Sequence, residues 1–338
     1  MASGAADRGR LDEIRQRLER RLADYMPELG GMPATLQLSG CYQRAYSDLY
    51  LFEVARRAND RGFAGGLAVK IFVPRNGARE LAQSQYDALT STWPAFACSE
   101  TLSLPRPLDF FPDLCAIVTE KIQGESLERA IRRIPAPAAR WLALNGGAGR
   151  WLRRFHDATA LPPRPLDAGD KLRGLESNLR RLEEYGISPY LCRLLKTSAE
   201  VLGEHLSTMD LKTASVHGDF TVDNVLADGA RIIALDLGGR DRNAVYHDIA
   251  SYLNSLALIR LSWPVSRSLL GRARDAFLGG YFGHESHDVA AVDFLRTTGL
   301  ASVALEILGR RRGQPLAAWW ARRFFERRFR ELVAGQRT

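Results

Sequence analysis

Residues 216–238 read VHGDFTVDNVLADGARIIALDLG, and the alternation of apolar and polar residues in this stretch decides the fold. Two apolar stretches, Ala214–Val216 and Arg231–Leu235, flank a polar loop. Within the loop His217, Asp219 and Asn224 fall in an H-x-D-x-x-x-x-N spacing, and Asp236-Leu237-Gly238 follows directly on the second stretch. Branched residues bounded by Gly and Asp predict strands on either side of the loop.

These residue types suit phosphoryl transfer. Moving a γ-phosphoryl group demands positioning and charge neutralisation more than covalent chemistry. A carboxylate must face the acceptor hydroxyl, which suits Asp219, and hard oxygen ligands must hold Mg²⁺ against the phosphates, which suits Asn224 and Asp236. An Asp-rich hairpin would also use Asn and Asp, as turn formers only. That reading requires two spaced motifs and their strands to coincide without purpose.

The segment resembles the aminoglycoside phosphotransferase family, relatives of the protein kinases whose loop begins H-G-D rather than H-R-D. The resemblance implies that Asp219 is the catalytic aspartate, that Asn224 and Asp236 are metal ligands, and that His217 supports the loop. It extends to NAVYHDIASYL at Asn243–Leu253, where Asp248 is expected to brace the loop rather than catalyse. The family is also implied by GRWLRRFH at Gly149–His156, similar to a buried helix ending in Leu-x-x-Leu-His. Trp151, Leu152 and Phe155 there read as core, and His156 as structural.

Upstream, Ser47–Val54 and Gly66–Val73 read as strands, rich in aromatic and branched residues. Lys70 sits inside the second, and a half-buried Lys needs an anionic partner, which nucleotide phosphates would supply. In register with the later motifs it is assigned to the α- and β-phosphates. Two parts depart from the family pattern. The segment Leu38–Arg44 before the lysine strand holds a single Gly, Gly40. Its backbone N–H groups either reach phosphate oxygens, as the resemblance implies, or form a plain strand turn. The second departure is the acidic partner of Lys70. A helix is predicted from about Ala78 to Thr92, and Gln85 stands where the family has Glu, with Glu80 more than a helical turn earlier. Either Glu80 pairs with Lys70 through a shifted helix, the favoured expectation, or Gln85 offers a neutral hydrogen bond.

Pro105–Phe111 and Leu114–Thr119 read as further strands, followed by a Gly turn in Glu120–Leu127. That wording resembles the family's connector between lobes, which implies adenine near Glu120 to Ile122. The Pro-rich run Leu161–Leu166 (LPPRPL) reads as a loop, with a charged helix around Lys171–Tyr185 after it.

At 338 residues and 46% hydrophobic content the chain can bury a large core. No apolar run is long enough to cross a bilayer, and Asp7, Arg8 and Arg10 interrupt any signal segment, so a cytoplasmic location is expected. Cys41, Cys98, Cys115 and Cys192 lack C-x-x-C spacing and read as free thiols. His284 and His287 lack a third ligand nearby and read as a solvated pair.

Much of the net charge of +8 lies late, where Arg322, Arg323, Arg327 and Arg328 accompany Trp319, Trp320, Phe324, Phe325 and Phe329. The favoured reading is a last helix with aromatics inward and Arg outward; the alternative is a helix lying on an anionic membrane. Such a basic end argues mildly against a polycationic acceptor, and no nucleic-acid motif accompanies it.

The expectation is an α+β, protein-kinase-like two-lobe fold. Residues 1–33 form a helical extension, 34–121 a β-rich nucleotide-binding lobe and 122–338 a mainly helical catalytic and acceptor lobe. The implied activity is ATP- and Mg²⁺-dependent phosphorylation of a hydroxyl on a small molecule or saccharide. The alternative, supported by Gln85 and the glycine-poor loop, is a nucleotide-binding pseudokinase or scaffold, with membrane-surface association as a third class.

Overall fold

Ile14, Leu18, Leu22, Tyr25 and Leu29 recur at helical spacing and are buried together with Phe52, Val54, Leu67 and Val69 in one apolar cluster. The computed structural model describes residues 3–29, 34–44, 46–56, 63–73, 77–132, 138–238 and 241–335. The chain forms two units, Met1–Trp93 with Leu104–Gln123, and Pro94–Ser103 with Gly124–Thr338. The expected N-terminal extension is therefore part of the first unit's core, because its apolar stripe covers one face of the sheet. The boundary expected after residue 33 lies outside the described residues.

In the first unit α1 (Ser3–Arg20) and α2 (Leu22–Tyr25) precede β1 (Ala34–Gln43), β2 (Ser47–Arg56), β3 (Phe63–Phe72) and α3 (Ala78–Thr92). The chain then contributes α4 (Pro94–Ala97) and β4 (Leu102–Ser103) to the second unit, and returns as β5 (Pro107–Phe111) and β6 (Ala116–Glu120). The five strands order as β1-β2-β3-β6-β5 with every pairing antiparallel. Side chains of β3 alternate between faces. Leu67, Val69 and Ile71 enter the cluster with the N-terminal helices, whereas Phe72 joins Ala78, Ala82 and Ile117 under α3. Lys70 lies on the α3 side of β3.

The second unit continues with β7 (Glu125–Ser126), α5 (Leu127–Arg132), α6 (Ala138–Ala158), β8 (Ala160–Arg164), α7 (Ala168–Glu184) and α8 (Pro189–Ser207). Then come β9 (Leu211–Ser215), β10 (Val225–Asp228), β11 (Arg231–Ala234), β12 (Arg242–Ala244), α9 (Tyr246–Ser262), α10 (Arg267–Phe282), α11 (Val289–Arg310) and α12 (Pro315–Gly335). Two small sheets, β4-β11-β10-β7 and β12-β9-β8, stand at the base of the loop 216–224 and of the segment after it. The run Leu161–Leu166, expected as a loop, instead contributes edge strand β8. Its Pro162 and Pro163 fall at the irregularity between Leu161 and Arg164, where the ladder needs no N–H. Helices α6 and α10 touch backbone to backbone: a Cβ at Gly149 would lie 2.1 Å from the Phe277 carbonyl oxygen, and one at Gly280 2.1 Å from that of Gly146.

On α12 Phe325 and Phe329 are buried, but Trp319 and Trp320 are about half exposed. The expectation of all aromatics inward and all arginines outward is corrected at both kinds of residue, since the Arg328 side chain is only 23% exposed. Among the described residues no helix is long and apolar enough to cross a membrane.

Candidate active site

The loop 216–224 is held from beneath by α9. The Asp248 carboxylate, in the first turn of that helix, accepts from the His217 N–H at 2.6 Å and the Gly218 N–H at 2.9 Å. His156, near the end of α6, places Nε2 2.9 Å from Asp248 Oδ2, and its Nδ1 is 2.8 Å from the Tyr281 hydroxyl. Burial alone would raise the Asp248 carboxyl, but the His156 hydrogen bond and the loop N–H groups outweigh it and hold the pKa below the usual carboxylate range. The brace expected at Asp248 is present, and His156 completes it.

The His217 ring sits edge-on against Trp151, Phe155 and Phe220, with both ring nitrogens buried and without a hydrogen-bond partner. Burial pushes its pKa down, so the ring is neutral and serves as packing. Its carbonyl accepts from the Gly238 N–H at 2.8 Å, and a Cβ on Gly238 would lie 2.5 Å from that carbonyl oxygen. Only glycine fits there, which explains the third residue of the Asp236-Leu237-Gly238 triplet.

Asn224 and Asp236 meet through the β10–β11 hairpin. Val225 pairs with Ala234, the Leu235 N–H donates to the Asn224 carbonyl at 2.9 Å, and Asp236 turns out of the strand with φ of 59°. A positive φ on a residue other than Gly is strained backbone of the kind found at functional sites. Asn224 Nδ2 donates to Asp219 Oδ2 at 2.8 Å and to the Asp219 carbonyl at 2.9 Å. With the amide nitrogen so engaged, Asn224 Oδ1 is directed away as an oxygen donor. An amide oxygen and a carboxylate are hard ligands of the kind Mg²⁺ takes alongside phosphate and water oxygens. Among the described residues no cluster of three His, Cys, Asp or Glu side chains offers a metal cage, so His284 and His287 gain no third ligand. Asp219 is open to solvent, yet the protein crowding its pocket side pushes its pKa up, against the hydrogen bond from Asn224.

A cavity of about 440 Å³ opens beside Asp219, within the second unit. Its walls mix Leu175, Leu258, Leu295 and Val303 with neutral polar groups, Thr221 from the loop, Ser251, Asn254 and Ser255 from α9, and Thr298 from α11, and Asp170 and Lys171 of α7 are the charges besides Asp219. Two polar atoms of its lining residues, His247 Nε2 and Asn254 Oδ1, are buried without a hydrogen-bond partner.

In the first unit Lys70 Nζ donates to Gln85 Oε1 at 3.1 Å and lies 5.1 Å from the centroid of the Phe72 ring. This corrects the expected pairing with Glu80. Gln85 shares a stripe of α3 with Ala78, Ala82, Leu89 and Thr92, whereas Glu80 is exposed. Five residues on a helix turn by about 140°, so both cannot face Lys70. Gly40 is also corrected: it lies inside β1, opposite Leu51 at a bulge, and not in a loop. The Glu120 N–H donates to the Arg106 carbonyl at 3.0 Å and the Lys121 N–H to that of Gly66 at 2.8 Å. Neither amide N–H is then free to read an adenine edge, and Ile122 follows the end of β6.

Residues 46–292 match the family model described as the phosphotransferase enzyme family. The chain belongs to that family, the aminoglycoside phosphotransferase-type small-molecule kinases. As a member it is an ATP-binding transferase of the kinase type. Among solved structures, a glucosamine kinase in complex with glucosamine, ADP and inorganic phosphate is 16% identical with a TM-score of 0.58, covering 86% of this chain and 80% of that one. A choline/ethanolamine kinase family protein from Mesorhizobium loti is 17% identical, with a TM-score of 0.55 over 95% of this chain and 98% of that one. An amicoumacin kinase in complex with AMP-PNP, Ca²⁺ and Ami is 16% identical, with a TM-score of 0.53 over 96% of each chain. At these identities the likeness shows a shared kinase-like fold. No curated protein matches the chain.

Several residues of the cavity wall and the loop escape a motif reading. His247, Ser251, Asn254, Ser255 and Leu258 follow helical spacing along α9, and polar residues on one stripe of an otherwise apolar helix are the signal that marks a cavity wall. Asp223 is a second case. Burial and the neighbouring Glu128 carboxyl push its pKa up to about 7. No spacing rule connects those two, because α5 and the loop meet only in the fold.

Proposed function

We propose that this phosphotransferase moves the γ-phosphoryl group of MgATP to a hydroxyl of a small molecule or saccharide held in the cavity beside Asp219. The observation that carries this reading is the Asp219 carboxylate, fixed by Asn224 at the edge of a cavity whose wall sets hydroxyl and amide side chains among apolar ones. With Nδ2 of Asn224 on Oδ2, the other oxygen of Asp219 is left to accept the proton of the attacking hydroxyl. Asn224 Oδ1 and the Asp236 carboxylate would hold Mg²⁺, which when bound neutralises charge on the β- and γ-phosphates. Lys70 is assigned to the α- and β-phosphates, held in orientation by Gln85, and the segment from Glu120 to Ile122 to the adenine edge through backbone groups other than the engaged N–H groups of Glu120 and Lys121.

The cavity favours a neutral or singly charged polyol over a polycation. Its carboxylates, Asp170 and Asp219, are offset by Lys171, and field attraction for a polycation needs an excess of negative charge. The unpartnered His247 Nε2 and Asn254 Oδ1 each suit a ligand hydroxyl, and a site built to hydrogen-bond a hydroxyl rejects analogues that lack it. The glucosamine kinase among the structural neighbours is consistent with such an acceptor. The test is an ATP-consumption screen against neutral sugars, amino sugars, amino alcohols, aminoglycosides and lipid-linked saccharides. Acceptor-dependent ADP release with a sugar or amino alcohol is expected, and a chain that binds MgATP but transfers to none of these would overturn the reading.

A further inference from the structure

The opposite side of α9 presents a second polar region, unconnected with the catalytic loop. Two adjoining cavities, of about 370 Å³ and 260 Å³, lie among α9, α10, α11 and α12 and share Leu253, Arg274, Arg296, Arg328 and Glu331 as walls. Arg260 and Arg267 line the smaller cavity, and Asp275 and Asp293 the larger. Five arginines thus face three carboxylates.

The ion pairs in this region are incomplete. Arg296 Nη1 lies 3.5 Å from Asp293 Oδ1, with the two side chains 13% and 16% exposed. Arg328 pairs through Nη1 with Glu331, but that carboxylate is shared with Arg327, whose Nε lies 3.2 Å from its other oxygen. Arg274 is engaged by its sequence neighbour Asp275 at 2.8 Å. These partners come from the same helix as the arginine they serve, and Arg296 of α11 and Arg328 of α12 repel each other, with Glu331 of α12 only partly offsetting them. Arg296 Nε and Arg328 Nε are both buried with no hydrogen-bond partner. Burial, reinforced by Arg328, pushes the Arg296 guanidinium down to about 10, which still leaves it charged at neutral pH. A buried unpaired donor on a charged group is costly.

We propose that this junction binds a small phosphate-bearing anion, inorganic phosphate or a phosphate monoester, with Arg296 and Arg328 as its buried donors and Arg260, Arg267 and Arg274 at its mouth. The charge agrees with the class of ligand. Five arginines less three carboxylates leave two positive charges, and a phosphate group carries about −1.5 to −2 at neutral pH. The guanidinium fork presents parallel N–H donors to such oxygens. The larger cavity has room for a monoester of a small metabolite. Bound there, the anion would tie α12 to α11. It would also lie close to the acceptor cavity, because Asn254 Nδ2 donates to the Arg296 carbonyl at 2.9 Å.

The test is titration calorimetry of the full chain, saturated with Mg²⁺ and AMP-PNP so that the nucleotide phosphate positions are filled. Inorganic phosphate and glycerol 2-phosphate are the probes, with KCl of matched ionic strength as control. Saturable binding of at least one phosphate probe at one site is expected, weakened at least tenfold in Arg296→Met and in Arg328→Met and less in the double variant at the mouth, Arg260→Gln/Arg267→Gln. Preference for one probe assigns the site to the free anion or to a monoester. The double variant keeps both buried arginines, so it reads the site even where a buried substitution unfolds the chain. Absence of saturable binding in the parent protein overturns the proposal, as does affinity that no arginine substitution changes.

Discussion

His156 Nε2 and Asp248 Oδ2 lie 2.9 Å apart, both side chains almost wholly buried, and the same carboxylate oxygen accepts the His217 N–H at 2.6 Å. One buried charge therefore couples the end of α6 to the start of the catalytic loop. An ionised Asp248 accepts from the His156 Nε2–H, and Nδ1 of the same ring lies 2.8 Å from the Tyr281 hydroxyl.

Replacing Asp248 by Ala should cost about 3–5 kcal/mol, since removing one partner of a buried pair leaves the others unsatisfied. Chemical denaturation reads that loss directly. Because the folded pKa of Asp248 is held below its unfolded value, its contribution is present above about pH 4 and is lost as pH falls further. A variant as stable as the parent at pH 7 would remove Asp248 from its bracing role.

Asp219→Asn should lower turnover by about 10²–10⁴-fold while leaving MgATP affinity nearly unchanged, because the carboxylate faces the cavity rather than the nucleotide. Nucleotide titration and steady-state kinetics with a verified acceptor separate the two effects. Full turnover in the variant would remove Asp219 from the chemistry.

Asp236→Ala should abolish the Mg²⁺-dependent tightening of ATP binding, since in the assigned role this carboxylate would hold the ion that offsets the phosphate charge. Calorimetry with and without Mg²⁺ decides. Equal enhancement by the metal in parent and variant would rule out Asp236 as a ligand.

The hydrogen bond between Lys70 and Gln85 yields a paired comparison. Gln85→Ala should raise KM for ATP about tenfold, in line with roughly 1.5 kcal/mol for a hydrogen bond to a charged group. Glu80→Ala should leave it unchanged, because that side chain is exposed on another face of α3. The opposite pattern would restore Glu80 as the partner.

What the sequence disclosed follows the range over which each feature is determined. His217, Asp219, Asn224 and Asp236 are set within twenty residues by two strands and a hairpin, so their spacing alone makes them legible. Gln85 was also within reach: it stands on the stripe Ala78, Ala82, Leu89, Thr92, and only the expectation of an acidic partner pointed to Glu80. Arg296 and Arg328 come together through the packing of α11 on α12, which no local pattern encodes. The helical extension expected over residues 1–33 was legible, but which sheet its apolar stripe covers is a tertiary fact.

The acid limb of stability provides a last prediction. Burial, helped by Lys171 and opposed by Asp248, pushes the His247 ring down to about 4 from an unfolded value of about 6.5. A depressed folded pKa contributes stability that is complete above pH 6.5 and is lost as pH falls toward 4, amounting to roughly 3 kcal/mol. Asp223, raised to about 7, works in the opposite sense through that window, so the informative quantity is the difference between variant and parent. His247→Gln should match the parent's acid profile above pH 7 apart from a constant offset, and then fall less steeply between pH 6.5 and 4. Urea denaturation at half-unit intervals of pH measures this. Parallel profiles through that window would show that the ring titrates normally in the cavity wall, and would remove neutral His247 as a hydroxyl-binding group.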